Sequence, residues 1–199
     1  MKPLLNRHFL VINLGGVGDL IYAIPSLRSL RISFPKSRIT LLTVHRSSPV
    51  LIGLENKYFD IHERIKNVSD LKAFIPILKR FFSNNSPEYP HQKRILINQL
   101  PSKSKKSALF FRILSLLFDH SIGFSYQTLP LYHRNLSFEF LKEYHARMLS
   151  MITVLTAGAK PSTGNFKFFE SSNIDSCHSG IRKNSFFRSS PPPDRMFEG

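Results

Sequence analysis

The sequence is poor in the residues that build disulfide frameworks and metal clusters. Cys177 is its single cysteine, which excludes an intrachain disulfide and a cysteine-based metal site. The eight histidines show no H-E-x-x-H or other ligand spacing, so we expect neither a metal nor a cofactor. Tryptophan is absent, and phenylalanine supplies 18 aromatic side chains against 6 from tyrosine. This cysteine usage fits a reducing cytoplasm.

Long apolar runs are also missing. No stretch of about 18 uncharged apolar residues occurs, so we predict no membrane-spanning helix. The N-terminus MKPLLNRHFLVINLGG begins like a secretory signal, but Arg7 and His8 interrupt it and no A-x-A-like site follows. We therefore expect a cytoplasmic protein, and leave open a peripheral contact at the inner face of the cytoplasmic membrane.

Acidic residues are scarce. The chain has 13 aspartates and glutamates and 28 lysines and arginines, which gives a net charge of +15. Such an excess favours an anionic partner, although it can also serve solubility alone. No helix-turn-helix, zinc motif or RNP-like interleaving of basic and aromatic residues appears, so no specific nucleic-acid partner is expected. A basic Rossmann-like module that binds nucleic acid or another anion remains the alternative function.

The order of apolar segments predicts an α/β fold. The run at 8–14 is typical of a buried parallel strand. A helical pattern follows the glycines, with Pro25 predicting a kink or a short first turn, and 38–44 is a second strand. This is a βαβ unit. Further strands and helices alternate to about residue 160, which predicts a Rossmann-like, doubly wound parallel sheet.

The last part of the chain has a different composition. From Pro161 the periodicity fades, and the sequence ends in SSPPPDRMFEG. We therefore divide the chain into a Rossmann-like domain, 1–160, and an irregular or disordered tail, 161–199.

The turn between the first strand and helix carries three glycines, Gly15, Gly16 and Gly18, followed at once by Asp19. It matches neither the dinucleotide fingerprint nor the P-loop, since Ile21 stands where the last glycine should be and no Lys-Ser/Thr follows. Asp19 would also repel a phosphate from the helix amides. Two explanations remain for this carboxylate: a cap at the positive end of the helix, or a general base at the sheet edge where ligands bind.

Residues 9–43, FLVINLGGVGDLIYAIPSLRSLRISFPKSRITLLT, resemble the N-terminus of glycosyltransferase family 9, the bacterial lipopolysaccharide heptosyltransferases. The shared pattern is an apolar strand, a small-residue turn ending in Gly18-Asp19, Pro25, two leucines, Phe34-Pro35 and a strand. Weaker similarity continues through the basic segment 103–106, the pair Ile122-Gly123 and the helix around residues 145–147. The resemblance covers roughly the N-terminal half of the family.

This resemblance implies the acceptor-binding, N-terminal domain of a GT-B glycosyltransferase. The implied reaction is metal-independent, inverting transfer of a sugar from a nucleotide-sugar such as ADP-heptose to a lipopolysaccharide core acceptor. The family's general base maps onto Asp19. Candidate acceptor-binding residues lie in the glycine turn and in a basic segment, for which a solvated basic face is the competing explanation. They are Gly15, Gly16, Gly18, Lys103, Lys105, Lys106 and Arg112.

The second half of the family pattern is missing. After residue 165 no glycine-rich Rossmann unit and no Asp-Ser/Thr-Gly segment resembles a donor-binding domain. We therefore expect a truncated or frame-shifted product that lacks its C-terminal donor domain. The isolated chain is then expected to be inactive, and a non-catalytic remnant is a further alternative.

Overall fold

The computed structural model describes residues 7–67, 71–83, 92–102, 104–137 and 146–161. All of them belong to one compact unit, Met1–Phe166, and none to the remaining unit, Lys167–Gly199. The boundary at residue 160 therefore stays a prediction. The sequence also predicts a long helix over 139–156. Its second half is described and is helical from residue 146 to 156, and its first residues lie outside the described part.

One parallel sheet organises the described residues. Its six strands are arranged in the order β3-β2-β1-β4-β5-β6, and every neighbouring pair is parallel. This is the strand order of a Rossmann sheet, in which the direction of strand addition reverses between β1 and β4. The strands are β1 (Arg7–Asn13), β2 (Arg38–Val44), β3 (Ile61–Ile65), β4 (Lys93–Asn98), β5 (His120–Phe124) and β6 (Arg134–Leu136).

Helices cover both faces of the sheet. Within the described residues they are α1 (Val17–Ser33), α2 (Phe74–Ser83), α3 (Lys105–Ser115) and α4 (Ala146–Thr156), with a 3₁₀ helix at His45–Leu51. Because side chains alternate along a strand, β1 presents Leu10 and Ile12 to one face and Phe9 and Val11 to the other. The first pair packs in a core with α2 and α3. On the other face α1 packs beside α4.

The residues that α1 shares with the family pattern are mostly core residues. Leu27 and Leu30 are fully buried. Phe34 closes the helix, since its backbone N–H donates to the Leu30 carbonyl, and its ring lies 5.2 Å from that of Phe9. The helix runs through Pro25 as one element from residue 17 to 33. The predicted short first turn before a separate main helix is therefore wrong.

The α/β prediction is confirmed, and β2 begins and ends where the sequence pattern placed it. The sequence also predicts a short helix over 49–54, and the structure has instead a 3₁₀ helix over His45–Leu51. The sequence pattern also missed β6, because three residues are too few to show periodicity. A short edge strand is identified by its pairing with the neighbouring strand, and β6 pairs with Ile122, Gly123 and Phe124 of β5.

His8 is a buried titratable group in β1. Its Nε2 lies 3.0 Å from Thr40 Oγ1 on β2, and its ring centroid lies 3.9 Å from that of Phe81 on α2. Burial, followed by the charges of Arg38 and Arg94, lowers the pKa of His8 from 6.5 to about 4. His8 is therefore neutral in the folded protein at pH 7.

We expect His8 to make the fold sensitive to mild acid. The unfolded chain binds a proton at His8 near pH 6.5 and the folded chain only near pH 4, so the stability of the fold falls as the pH is lowered between these values. The fall is at most about 1.4 kcal/mol per pH unit. Urea denaturation of the wild type and His8→Gln at several pH values measures it. Parallel pH profiles for the two proteins would show that His8 contributes nothing.

Candidate functional site

Successive strands are added in one direction from β1 to β3 and in the other from β4 to β6, so the strand order reverses between β1 and β4. The chain leaves these two strands on opposite faces of the sheet. After β1 it enters α1 through the glycine turn, and after β4 it enters α3. In open α/β sheets, loops that leave neighbouring strands on opposite faces separate at the carboxyl edge, and ligands bind in the crevice between them. Asp19 and the glycine turn lie at this edge.

Asp19 occupies the first turn of α1 and caps it. Its Oδ2 accepts a hydrogen bond of 2.9 Å from the Gly16 backbone N–H. Gly16 is the N-cap residue and has no side chain, so only the half of a capping box that Asp19 supplies is present. A carboxylate has about four lone-pair positions on its two oxygens. The cap therefore uses one position, and Asp19 keeps the capacity to accept another proton donor.

The Gly15 backbone lies against the Asp19 side chain. A Cβ at Gly15 would overlap the Asp19 Cβ and carboxylate and would come within 2.8 Å of its Cγ. At Gly18, by contrast, an added Cβ would meet nothing within 4 Å. The first glycine of the turn is thus required by the position of the carboxylate, whereas Gly18 is exposed and borders open space.

A chain of buried amides lies beneath the turn. Asn13 Nδ2 donates to Gln99 Oε1 at 3.0 Å, and Gln99 Nε2 donates to Ser26 Oγ at 2.7 Å. Asn13 Oδ1 in turn accepts from the Gly15 backbone N–H at 3.2 Å. These bonds join the end of β1, the residue after β4 and the middle of α1. They hold the turn in place without a buried charge.

A second buried pair extends this polar layer toward β5. Asn98 Nδ2 donates to the Tyr132 hydroxyl oxygen at 2.6 Å. Burial raises the pKa of Tyr132 above its usual range, and the Asn98 hydrogen bond opposes that shift. The Tyr132 ring lies on Gly123, where an added Cβ would come within 2.6 Å of the ring. Tyr132 is therefore a neutral hydrogen-bonding group, and this contact gives a physical reason for the Ile122-Gly123 pair.

Sequence reasoning did not single out Asn98, Gln99 or Tyr132 for the site. A usable signal existed, because uncharged amide side chains end two apolar runs at residues 13 and 98–99. Such polar residues at the ends of buried parallel strands face the edge where ligands bind.

The basic segment is only partly brought to this edge. Lys105 and Lys106 form the exposed first turn of α3, which follows β4 at the carboxyl edge, and Lys103 lies outside the described residues. Arg112 is also exposed, but the helical rise places it about 10 Å further along α3 than Lys105. The structure thus separates Arg112 from the two lysines.

Among the described residues, no group of three or more His, Cys, Asp or Glu side chains could hold a metal ion. Among the helices in the same part of the chain, none is both long and apolar enough to cross a bilayer.

The chain matches known proteins by its three-dimensional structure. No protein-family model matches the chain, and no curated protein matches it significantly. The fold matches that of a glycosyltransferase of family 9 from Veillonella parvula DSM 2008, with a TM-score of 0.57, 19% identity and coverage of 79% of this chain and 42% of that one. It also matches E. coli heptosyltransferase WaaC solved with ADP, with a TM-score of 0.50, 15% identity and coverage of 79% and 49%.

A structure of WaaC with ADP-2-deoxy-2-fluoro heptose gives a TM-score of 0.51 at 14% identity, with coverage of 79% of this chain and 50% of that one. The chain thus spans about half the length of the solved structures that it matches. These matches confirm, at the level of the fold, the resemblance to glycosyltransferase family 9. They also confirm the Rossmann-like class found in GT-B glycosyltransferases.

The close approach of Gly15 to Asp19 predicts unequal effects of alanine in the turn. Gly15→Ala should displace the Asp19 side chain, weaken the cap and lower the free energy of unfolding by about 1–3 kcal/mol. Gly18→Ala is the matched control, with open space around its Cβ, and should change stability by less than about 1 kcal/mol. Urea denaturation measures both variants. Equal stabilities for Gly15→Ala and the wild type would contradict this description of the turn.

Proposed function

We propose that this chain is the acceptor-binding part of a glycosyltransferase, with Asp19 as its general base. In the reaction it serves, a sugar passes from a nucleotide-sugar such as ADP-heptose to a lipopolysaccharide core acceptor with inversion. The observation that carries this proposal is the position of Asp19, a carboxylate fixed at the switch point of a sheet whose fold matches glycosyltransferase family 9. The low identity of these matches restricts their support to the fold.

The proposed step uses the lone pairs that the cap leaves available on Asp19. A hydroxyl of the acceptor sugar donates its proton to the carboxylate while its oxygen attacks the anomeric carbon of the donor. The bond between that carbon and the phosphate oxygen breaks, and the nucleoside diphosphate leaves with the bonding electrons. Attack from the side opposite the leaving group inverts the configuration at the anomeric carbon.

The glycine turn and α3 supply the proposed contacts with the acceptor. Gly18 is exposed and has open space around it, so a sugar can approach the backbone beside Asp19. Lys105 and Lys106 are exposed at the same edge and are suited to attract phosphate groups of the acceptor core. Gly15 and Gly16 shape the turn. Arg112, further along α3, contributes a longer-range attraction.

The donor site is assigned to a separate part of the enzyme. The resemblance to glycosyltransferase family 9 implies that the nucleotide-sugar binds to a C-terminal domain, and this chain spans about half the length of the solved structures that it matches. We propose that this chain performs the acceptor side of the reaction. Supplying the donor domain of a family 9 transferase as a second polypeptide is therefore part of the activity assay.

Asp19→Asn is the variant that tests the base. The amide keeps the size and can still accept a hydrogen bond, but it cannot take the proton, so the transfer rate should fall about 10²–10⁴-fold with acceptor affinity nearly unchanged. Binding of core oligosaccharide by calorimetry, and transfer from ADP-heptose with the added donor domain, measure the two quantities.

Asp119→Asn is the matched control. Its Oδ2 also accepts a backbone N–H, that of Arg94 at 2.8 Å, but it precedes β5 at the opposite edge of the sheet. The proposal predicts normal transfer for this variant. Equal losses in the two variants, or no saturable binding of the oligosaccharide by the wild type, would contradict the proposed function.

A further inference from the structure

The outer side of α3, together with the two residues that directly follow the helix, exposes large aliphatic side chains. Leu109, Ile113, Leu116 and Leu117 are 63%, 56%, 65% and 53% exposed. Residues three and four apart are neighbours on a helix, so Leu109, Ile113 and Leu116 follow one another along a single stripe that Leu117 widens. We call these four residues, with Lys105, Lys106 and Arg112, the α3 surface.

The fold does not need these aliphatic side chains for its core. The inner side of α3 is already buried in the core through Ala108, Phe111 and Leu114. A contiguous apolar patch of this kind, rimmed by polar groups, marks a site of interaction with a protein or a membrane. The exposure of the α3 surface therefore calls for a partner outside the core.

The charges of the α3 surface have one sign. Lys105, Lys106 and Arg112 are all exposed, and no acidic residue occurs between positions 104 and 118. The ion pairs found within the described residues join Arg31, His62 and Arg80 to carboxylates elsewhere. Lys105 and Arg112 lie along one side of the aliphatic stripe, and Lys106 lies at its N-terminal end.

We propose that the α3 surface docks on an anionic lipid bilayer. Leu109, Ile113, Leu116 and Leu117 would enter the boundary between headgroups and acyl chains, as the apolar face of an interfacial helix does. Lys105, Lys106 and Arg112 would lie at the level of the lipid phosphates, their methylene groups following the apolar stripe. A helix surface with an aliphatic stripe, and with basic residues along one side and at one end of that stripe, is complementary to an anionic bilayer in both respects.

A second copy of the chain suits this surface less well. In a two-fold symmetric dimer the same patch meets itself, so the basic residues of one α3 surface would lie near those of the other with no carboxylate between them. Like charges held close together repel, and each copy carries a net charge of +15. Charge complementarity therefore favours lipid over self-association.

Docking through α3 would place the candidate site at the membrane. The first turn of α3 lies at the carboxyl edge, where the crevice and Asp19 are found, so a lipid-linked acceptor could reach the crevice from the bilayer. The docking surface itself contains neither Asp19 nor the glycine turn. It shares Lys105, Lys106 and Arg112 with the proposed acceptor contacts, so docking is tested on vesicles that contain no acceptor. Asp19→Asn should bind these vesicles as the wild type does.

Vesicle sedimentation tests the proposal with the full chain. Vesicles of phosphatidylcholine with about 30% phosphatidylglycerol provide the anionic surface, and pure phosphatidylcholine provides the neutral one. We expect binding to the anionic vesicles alone. The double variant Leu109→Gln/Leu116→Gln should bind at least about tenfold more weakly, and Lys105→Gln/Lys106→Gln should lose about fivefold for each cation.

Matched control variants distinguish binding through the α3 surface from non-specific hydrophobic adsorption and from non-specific electrostatic attraction. Ile32→Gln/Ile52→Gln removes two exposed aliphatic residues, 57% and 84% accessible, from other parts of the fold. Lys36→Gln/Lys66→Gln removes two exposed lysines elsewhere. Both control variants should bind anionic vesicles like the wild type. Circular dichroism confirms that every variant is folded.

Several results would overturn the proposal. They are a lack of binding to anionic vesicles, equal binding to neutral vesicles, and equal losses in the α3 and control variants. Light scattering supplies a further one: a dimer that forms without lipid and is abolished by Leu109→Gln/Leu116→Gln would assign the surface to a second copy. Stoichiometric binding of an acidic protein in preference to vesicles would assign it to that class of partner.

Discussion

The hydrogen bond from the Gly16 backbone to Asp19 fixes the geometry on which the candidate site depends. At 2.9 Å it starts α1, and it holds the Asp19 carboxylate against the Gly15 backbone. Capping and catalysis looked like competing explanations of this carboxylate. The structure makes them compatible, because the bond that caps the helix also holds the carboxylate in one place and leaves lone pairs for a substrate hydroxyl. A base positioned by the fold needs no reorganisation before it accepts a proton.

Neutral side chains support that carboxylate from below. Asn13, Gln99 and Ser26 are buried and hydrogen-bonded to one another, and they tie together two neighbouring strands and a helix. An unpaired charge in this position would be costly to bury, whereas amides can satisfy one another. The layer beneath the turn is thus uncharged, and the half-buried carboxylate of Asp19 lies above it. The chain as a whole carries a net charge of +15, which favours the approach of the anionic acceptor that we propose.

Much of the sheet could be predicted from local pattern, since buried parallel strands are apolar runs bounded by turns, as in β1 and β2. The family resemblance proved to combine two kinds of residue. Leu27, Leu30 and Phe34 belong to the core, whereas the glycine turn and Asp19 lie at the site. The bond between Asn13 and Gln99 could not be predicted, because it joins residues 86 apart in sequence and depends on which strands become neighbours. The distance between Arg112 and the lysines also depends on the structure. The sequence predicts one basic group, whereas α3 places Arg112 about 10 Å from Lys105 along the helix.

The central claim is that the Asp19 carboxylate receives the hydroxyl proton of a sugar bound at the carboxyl edge. A crystal structure of this chain with lipopolysaccharide core oligosaccharide tests it most directly. Our account predicts an acceptor hydroxyl oxygen within about 2.6–3.2 Å of an Asp19 carboxylate oxygen, with the sugar ring over the exposed side of Gly18. An oligosaccharide bound away from the crevice, with Asp19 contacting only the Gly16 backbone, would contradict the claim and leave Asp19 as a helix cap.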